Sequence, residues 1–315
     1  MRAAVVERYG PPEVARVIEV PDPVPGAGDV VVRVAAAAVT SGDARIRGAR
    51  FPAGFGPFAR LGLGLTRPRR RVLGLCFSGV VVAVGKDVTG VAAGDEVAGM
   101  SGARMGAHAE LVAVPARRVV PKPAGVSHEQ AAGVLFGGTT ALFYLRDKAE
   151  VRPGVSVLVN GASGAVGTNA VQLARHLGAA VTAVTSARNL ALVERLGAER
   201  VVDHTATDVA GLADRFDVVL DAVGNLGTAR GRGLVAPGGV LLLPVASLGE
   251  TIRARGPVRA GSAPERAADF AELLGLVGRG ELEVVLDEVL PLADIAAAYR
   301  RVDSGRKVGN VVVTP

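Results

Sequence analysis

Val-rich runs bounded by Gly or Pro organise the first third of the chain. Asp29–Val39 (DVVVRVAAAAV), Phe77–Gly85 (FSGVVVAVG), Gly94–Gly99 (GDEVAG) and His108–Pro115 (HAELVAVP) read as short strands, and their density predicts a compact β domain or barrel. Between the first two runs, Ser41 to Arg71 is irregular and rich in Gly, Pro and Arg, which predicts a loop with a short helix. From about Pro121 the rhythm changes. Ser127–Gln130 (SHEQ) has capping-box spacing ahead of an apolar segment and starts a helix, and a second helix is expected over Thr139–Lys148. Strands and helices then alternate: SVLVN, a helix over Ala165–Leu177, AVTAV, a helix around Leu190–Leu196, RVVDH, DVVLDAVG, a helix near Leu226–Leu234, and GGVLLLPVA. Such alternation predicts a parallel, doubly wound sheet. After a stretch rich in Gly, Pro and Arg, Ala267–Val277 and Ile295–Val302 read as helices and GNVVVTP as a final strand. No internal repeat or low-complexity linker is visible.

Length and composition sharpen this picture. A chain of 315 residues exceeds the usual size of one hydrophobic core, so two domains are expected. Aromatics are only 3%, so the core must be built from Val, Leu and Ala, which suits strands covered by helices. The net charge of +6 raises nucleic acid as a partner. Acidic residues are interspersed throughout, however, and the densest basic run, Arg67–Arg71 (RPRRR), lacks aromatics for base stacking, so a solvated surface is the better reading. The single cysteine, Cys76, precludes an internal disulfide and any Cys-only metal site. No apolar run reaches membrane-spanning length, and MRAAVVERYG lacks a leader pattern; the expected location is the cytoplasm, without a membrane partner.

The stretch VLVNGASGAVGTNAVQLARHLGA carries the clearest chemistry. Ala162-x-Gly164-x-x-Gly167 follows a predicted strand and opens a predicted helix, the context that a dinucleotide loop requires. Ala162, Ser163, Gly164, Ala165, Val166 and Gly167 are therefore assigned to cofactor binding. Gly164 lets the backbone approach a pyrophosphate, and Gly167 lets helix and strand pack closely. An NAD site places a carboxylate about twenty residues further on, but no Asp or Glu occurs between Gly164 and Glu194. The second strand instead ends in TSARN, whose Ser186, Arg188 and Asn189 suit a 2′-phosphate. NADP(H) is the expected cofactor. FDVVLDAVGN brings Val223 to the next strand end, where doubly wound sheets place ligands; Asp221 there reads as an interior polar residue satisfied by backbone.

These motifs, with VTSGDARIRG, LGLCFSGVVVAVG, GDEVAG, GAHAELVAVP, PKPAGVSHEQAA, GGTTAL, APGGVLLL and the terminal VGNVVV, run in one order over nearly the whole chain. Together they resemble the zinc-independent medium-chain dehydrogenase/reductases, in the quinone oxidoreductase-like branch. The resemblance implies a GroES-like β-rich catalytic domain from residues 1–122 and 263–315, with a Rossmann NADP-binding domain inserted at 123–262. Positions that hold zinc ligands in zinc-dependent relatives carry Thr40, Leu75 and Phe136 here, which cannot bind zinc in that geometry. His108, His128, His176 and His204 show no ligand spacing, so no metal is expected. The resemblance also places Thr40, Asp43 and Thr140 near the nicotinamide as catalytic candidates, His204 near the adenosine, and Asn310 where relatives frequently have Lys. Tyr144 reads as core.

Without a Lewis acid, oxidising an alcohol is difficult at neutral pH. Hydride transfer from NADPH to a quinone or an α,β-unsaturated carbonyl is the preferred reaction, resting on near-attack positioning of a small-molecule substrate. Two other readings remain: an enoyl reductase or other pathway-specific oxidoreductase of secondary metabolism, and a non-enzymatic NADP(H)-binding structural or regulatory protein. A homodimer through an edge strand of the Rossmann sheet, GVLLLPVA, is expected.

Overall fold

A computed structural model describes all 315 residues. Its six-stranded sheet runs in the order Arg200–Asp203, Ala180–Thr185, Ser156–Asn160, Phe216–Asp221, Val235–Leu243, Val258–Ala260, all parallel. The chain builds outward from Ser156–Asn160 first on one side and then on the other. A switch point therefore opens between Ser156–Asn160 and Phe216–Asp221 at their C-terminal ends. The strand interiors are almost wholly apolar, as a sheet covered on both faces demands.

The second sheet is mixed and draws on both ends of the chain. Its order is Leu286–Pro291, Asn310–Thr314, Asp29–Val39, Cys76–Val84, Glu96–Met100, Val119–Pro121, and Leu111–Pro115 also pairs with Asp29–Val39. The pairing of Asn310–Thr314 with Asp29–Val39 closes this lobe around the inserted parallel sheet. Arg47 adds a second tie: fully buried, it reaches Gly10 and, at 2.5 Å, Asp303, with its guanidinium 5.0 Å from the centre of the Tyr299 ring.

Between the two sheets runs helix His128–Leu142, whose side chains join a core shared by Ala38, Cys76 and Met100 of one lobe and Val157 and Leu220 of the other. It continues into a π-helical turn, Phe143–Lys148, so one helix stands where two were expected. Gly137 and Gly138 look like a break in the sequence. In the fold they permit contact: a Cβ on Gly137 would lie 2.2 Å from the Ala165 carbonyl oxygen, so only Gly lets this helix press against the start of helix Ala165–His176.

Other departures are local. Ser41 to Arg71 contains two helices, Ser41–Gly48 and Gly56–Leu63, where one was expected. The hairpin of Arg2–Val6 and Ala15–Glu19, helix Leu248–Arg253 and strand Val258–Ala260 carry too little apolar pattern to be read from sequence. That last strand corrects the expectation of a dimer edge at GVLLLPVA: Val235–Leu243 is flanked on both sides, and Val258–Ala260 is the true edge. No helix is long and apolar enough to cross a membrane.

Candidate functional site

One cleft of about 1140 Å³ lies over the C-terminal ends of the parallel strands, walled on the far side by the β-rich lobe. Its centre is the turn after Ser156–Asn160. Gly161 has φ +82°, and a Cβ there would meet Val223 Cγ2 at 2.5 Å. A Cβ on Gly167 would sit 2.1 Å from the Gly161 carbonyl oxygen and 2.6 Å from Ala162 Cα, so this glycine serves helix–strand contact. Gly164 differs: its φ is −80°, and a Cβ would find only the Gly161 oxygen, at 3.5 Å. It opens onto the cleft as the N-cap of helix Ala165–His176, which has no side-chain cap. The unpartnered N–H groups of the first turn and the positive end of the helix dipole suit a pyrophosphate.

The cleft beside strand Ala180–Thr185 is strongly cationic. The Ser163 hydroxyl accepts from Thr185 Oγ1 (2.8 Å) and Asn189 Nδ2 (3.1 Å), leaving its own proton to donate. Ser186 and Arg188 line the wall, with Arg188 Nη2 donating to the Arg306 carbonyl at 3.3 Å. The loop before the last strand folds across the glycine turn, Gly309 N donating to Ser163 O at 2.8 Å, and delivers Arg306 and Lys307 to the same end. Burial lowers the Lys307 ammonium to about 8, and its Nζ donates to Gly309 O. The sole carboxylate in the lining is Glu265, already engaged by Arg118. His204 is an exposed lining residue here, and Asn310 donates its side-chain amide to Val285 O at 3.1 Å.

At the other end, Asp221 organises the loop that follows its strand. Its carboxylate, fully buried, accepts from the backbone N–H groups of Val223, Gly224, Leu226 and Gly227 and from Asn160 Nδ2. Asn160 also bonds Asn225, and the loop presents half-exposed Val223 to the cleft. Tyr144 is buried as the core reading has it, yet it reaches the lining. Its hydroxyl donates to Gly261 O (2.6 Å), bracing the segment after the edge strand, and burial pushes its phenol well above the ordinary range.

Of the catalytic candidates, Thr40 and Thr140 line the cleft. Both hydroxyls are committed: Thr40 Oγ1 donates to Asp43 at 2.6 Å, and Thr140 Oγ1 to the Phe136 carbonyl at 2.8 Å. Asp43 lies behind Thr40, 1% exposed, accepting also from Thr40 N and Gly74 N. It holds Thr40 in place and does not reach the lining. Ala162 is likewise buried behind the loop. Leu75, Met100 and Phe136 make an apolar wall beside Thr40. Thr40, Leu75 and Phe136 offer one engaged hydroxyl and two apolar side chains, and no three His, Cys, Asp or Glu side chains of the chain converge; this donor set does not fit zinc. Arg67, Arg69 and Arg71 border a separate shallow concavity, away from the cleft. Sequence reasoning missed Arg45, Asn160, Arg306 and Lys307 as lining residues, of which only Asn160, a polar residue ending an apolar strand, left a readable signal; for Tyr144, one helical turn after Thr140, both the cleft and the core readings hold.

Comparison with known proteins agrees with this geometry. Residues 26–124 match the alcohol dehydrogenase GroES-like domain family, and residues 196–313 match the zinc-binding dehydrogenase family. A quinone oxidoreductase of Pseudomonas aeruginosa is 31% identical over 330 residues, covering 98% of this chain and 97% of that one. The chain belongs to the medium-chain dehydrogenase/reductase family, among its quinone oxidoreductase-like members. A 2-methylene-furan-3-one reductase of Solanum lycopersicum is 31% identical over 307 residues, 91% of this chain and 71% of that one. The solved quinone oxidoreductase of Coxiella burnetii superposes with a TM-score of 0.90 at 26% identity, over 100% of this chain and 99% of that one. This medium-chain dehydrogenase/reductase is thus an oxidoreductase with a nicotinamide dinucleotide site, its GroES-like and Rossmann-like parts arranged as the family has them.

Proposed function

We propose that the chain is an NADPH-dependent reductase of quinones or α,β-unsaturated carbonyls that works without zinc. The observation that carries this is a single cleft joining an uncapped glycine-loop helix and the cationic side chains of Arg188, Arg306 and Lys307 to an apolar wall with no zinc donors. When bound, NADPH supplies a hydride from C4. Held by Gly164, the start of its helix and the Arg188 cluster, NADPH would supply that hydride to the electrophilic carbon, whose alkene or quinone electron pair would pass to oxygen and be protonated. Gly164 and the first turn of its helix fix the pyrophosphate, and the Arg188 cluster takes the 2′-phosphate. Leu75, Met100 and Phe136 exclude water and hold the acceptor flat. Thr40, fixed by Asp43, and Thr140 shape the nicotinamide end. Since both hydroxyls already donate elsewhere, the proton comes from water at the open side.

Binding of the two cofactors tests the cluster. NADPH should bind at least about tenfold more tightly than NADH, and Arg188→Ala should erase most of that gap. The preference should weaken as pH rises through about 8, where Lys307 gives up its proton and a cation leaves the phosphate site. Equal affinities for the two cofactors would contradict the assignment.

A further inference from the structure

On the wall supplied by the β-rich lobe, Arg45 lies one turn beyond Ser41 on helix Ser41–Gly48, and both line the cleft. Its neighbours on the same segment have a counter-ion: Arg47 and Arg50 share the Asp303 carboxylate. Arg45 is half-buried, and its guanidinium takes part in none of the chain's side-chain hydrogen bonds or ion pairs. Burial lowers it from its ordinary value with no carboxylate acting against that shift. A guanidinium carries five N–H donors and no acceptor, and holding it partly desolvated without a partner costs free energy that a ligand's anion would recover.

Of the other cations of the cavity, Arg188 bonds the Arg306 backbone and Lys307 bonds Gly309, while the Arg306 guanidinium is exposed. Arg45 enters the cleft from helix Ser41–Gly48, whose N-cap Thr40 lines the same cavity as the apolar Leu75 and Phe136. Glu265, the one carboxylate of the lining, pairs with Arg118 and not with Arg45. A lone planar guanidinium neutralises one unit of charge and matches a carboxylate in two parallel bonds, whereas a phosphate carries up to about two charges.

We propose that Arg45 binds a carboxylate on the substrate, so that the preferred acceptors are α,β-unsaturated carbonyl compounds carrying an acid group. This rests on the reductase reading above. The test compares (E)-4-oxopent-2-enoate with its methyl ester as acceptors. In the unsubstituted protein, kcat/KM for the acid should exceed that for the ester by at least about tenfold. Arg45→Gln should lower that ratio about tenfold, chiefly through KM for the acid, and Arg45→Lys should retain part of it. Intrinsic differences in reactivity between acid and ester are the same for every variant and cancel in the comparison.

A second measurement needs no turnover: calorimetric binding of 4-oxopentanoate to the NADP⁺-loaded protein, expected to be lost in Arg45→Gln while the Kd for NADPH and the thermal midpoint stay unchanged. Turnover of both compounds with one ratio in the unsubstituted protein and Arg45→Gln overturns the carboxylate site and leaves the reductase intact. Arg45-dependent binding of 4-oxopentanoate without turnover of either acceptor does the reverse. Weakened NADPH binding in Arg45→Gln assigns Arg45 to the cofactor and overturns the proposal, as does failure of the unsubstituted protein to bind the acid.

Discussion

Asp221→Ala is expected to cost about 4 kcal/mol of stability and to weaken dinucleotide binding. Four backbone N–H groups, from Val223 (3.2 Å), Gly224 (2.9 Å), Leu226 (2.9 Å) and Gly227 (3.2 Å), converge on this one carboxylate, together with Asn160 Nδ2 at 2.8 Å. Each bond to a charged, buried acceptor contributes roughly 1.5–3 kcal/mol, and a buried donor left without a partner costs roughly 1–3 kcal/mol. The sum is not additive, because the loop can swing toward water once released. That release is also why binding suffers: Val223 and Asn225, which the network holds, line the cleft. Asp221→Asn keeps the shape but turns one acceptor into a donor facing two N–H groups, so it should lose about half as much. Urea denaturation checks both values, and a loss below about 1 kcal/mol for Asp221→Ala would refute the network's structural role.

Two glycines of one turn should both affect cofactor binding but differ in their effect on stability. Gly167→Val places its Cβ against the backbone of Gly161 and Ala162, atoms that cannot rotate aside. Overpacking usually costs roughly 1–3 kcal/mol, and this site belongs at the upper end, with cofactor binding lost because helix Ala165–His176 can no longer seat on its strand. Gly164→Ala meets no backbone closer than 3.5 Å and needs no unusual φ. Its urea midpoint should match that of the unsubstituted protein, while NADPH affinity falls by about tenfold or more, since the methyl group occupies the space the pyrophosphate needs. A Gly164→Ala protein that binds NADPH normally would place the phosphates elsewhere.

How much of this was legible beforehand depended on whether a residue signals through local pattern. Five of the six strands of the parallel sheet were readable because each carries a short, mainly apolar run between helices. The glycine loop was readable because its spacing is fixed by contacts within one strand–turn–helix unit. The contact at Gly137 was not readable, because a glycine that breaks a helix and one that allows helices to touch look the same in sequence. Asp43 was placed near the chemistry from its loop, but only the fold shows its carboxylate turned inward onto Thr40 and Gly74. Arg306 and Lys307 reach the cofactor end through a crossing more than 140 residues long, from Ser163 to Gly309, which no local pattern encodes. Arg45 sits between Ser41 and Arg71 with seven other arginines, and its distinction is half-burial in the cleft without a partner, a property of the folded molecule alone.

The central claim is direct hydride delivery from NADPH to an electron-poor acceptor. The measurement is transfer of deuterium from C4-deuterated NADPH to an enone, with product analysed by mass spectrometry and NMR before and after treatment of the protein with a chelator. The expected result is deuterium on the carbon β to the carbonyl, at a rate the chelator leaves unchanged. Product without deuterium at that carbon, or activity that disappears with chelation and returns with zinc, would contradict it.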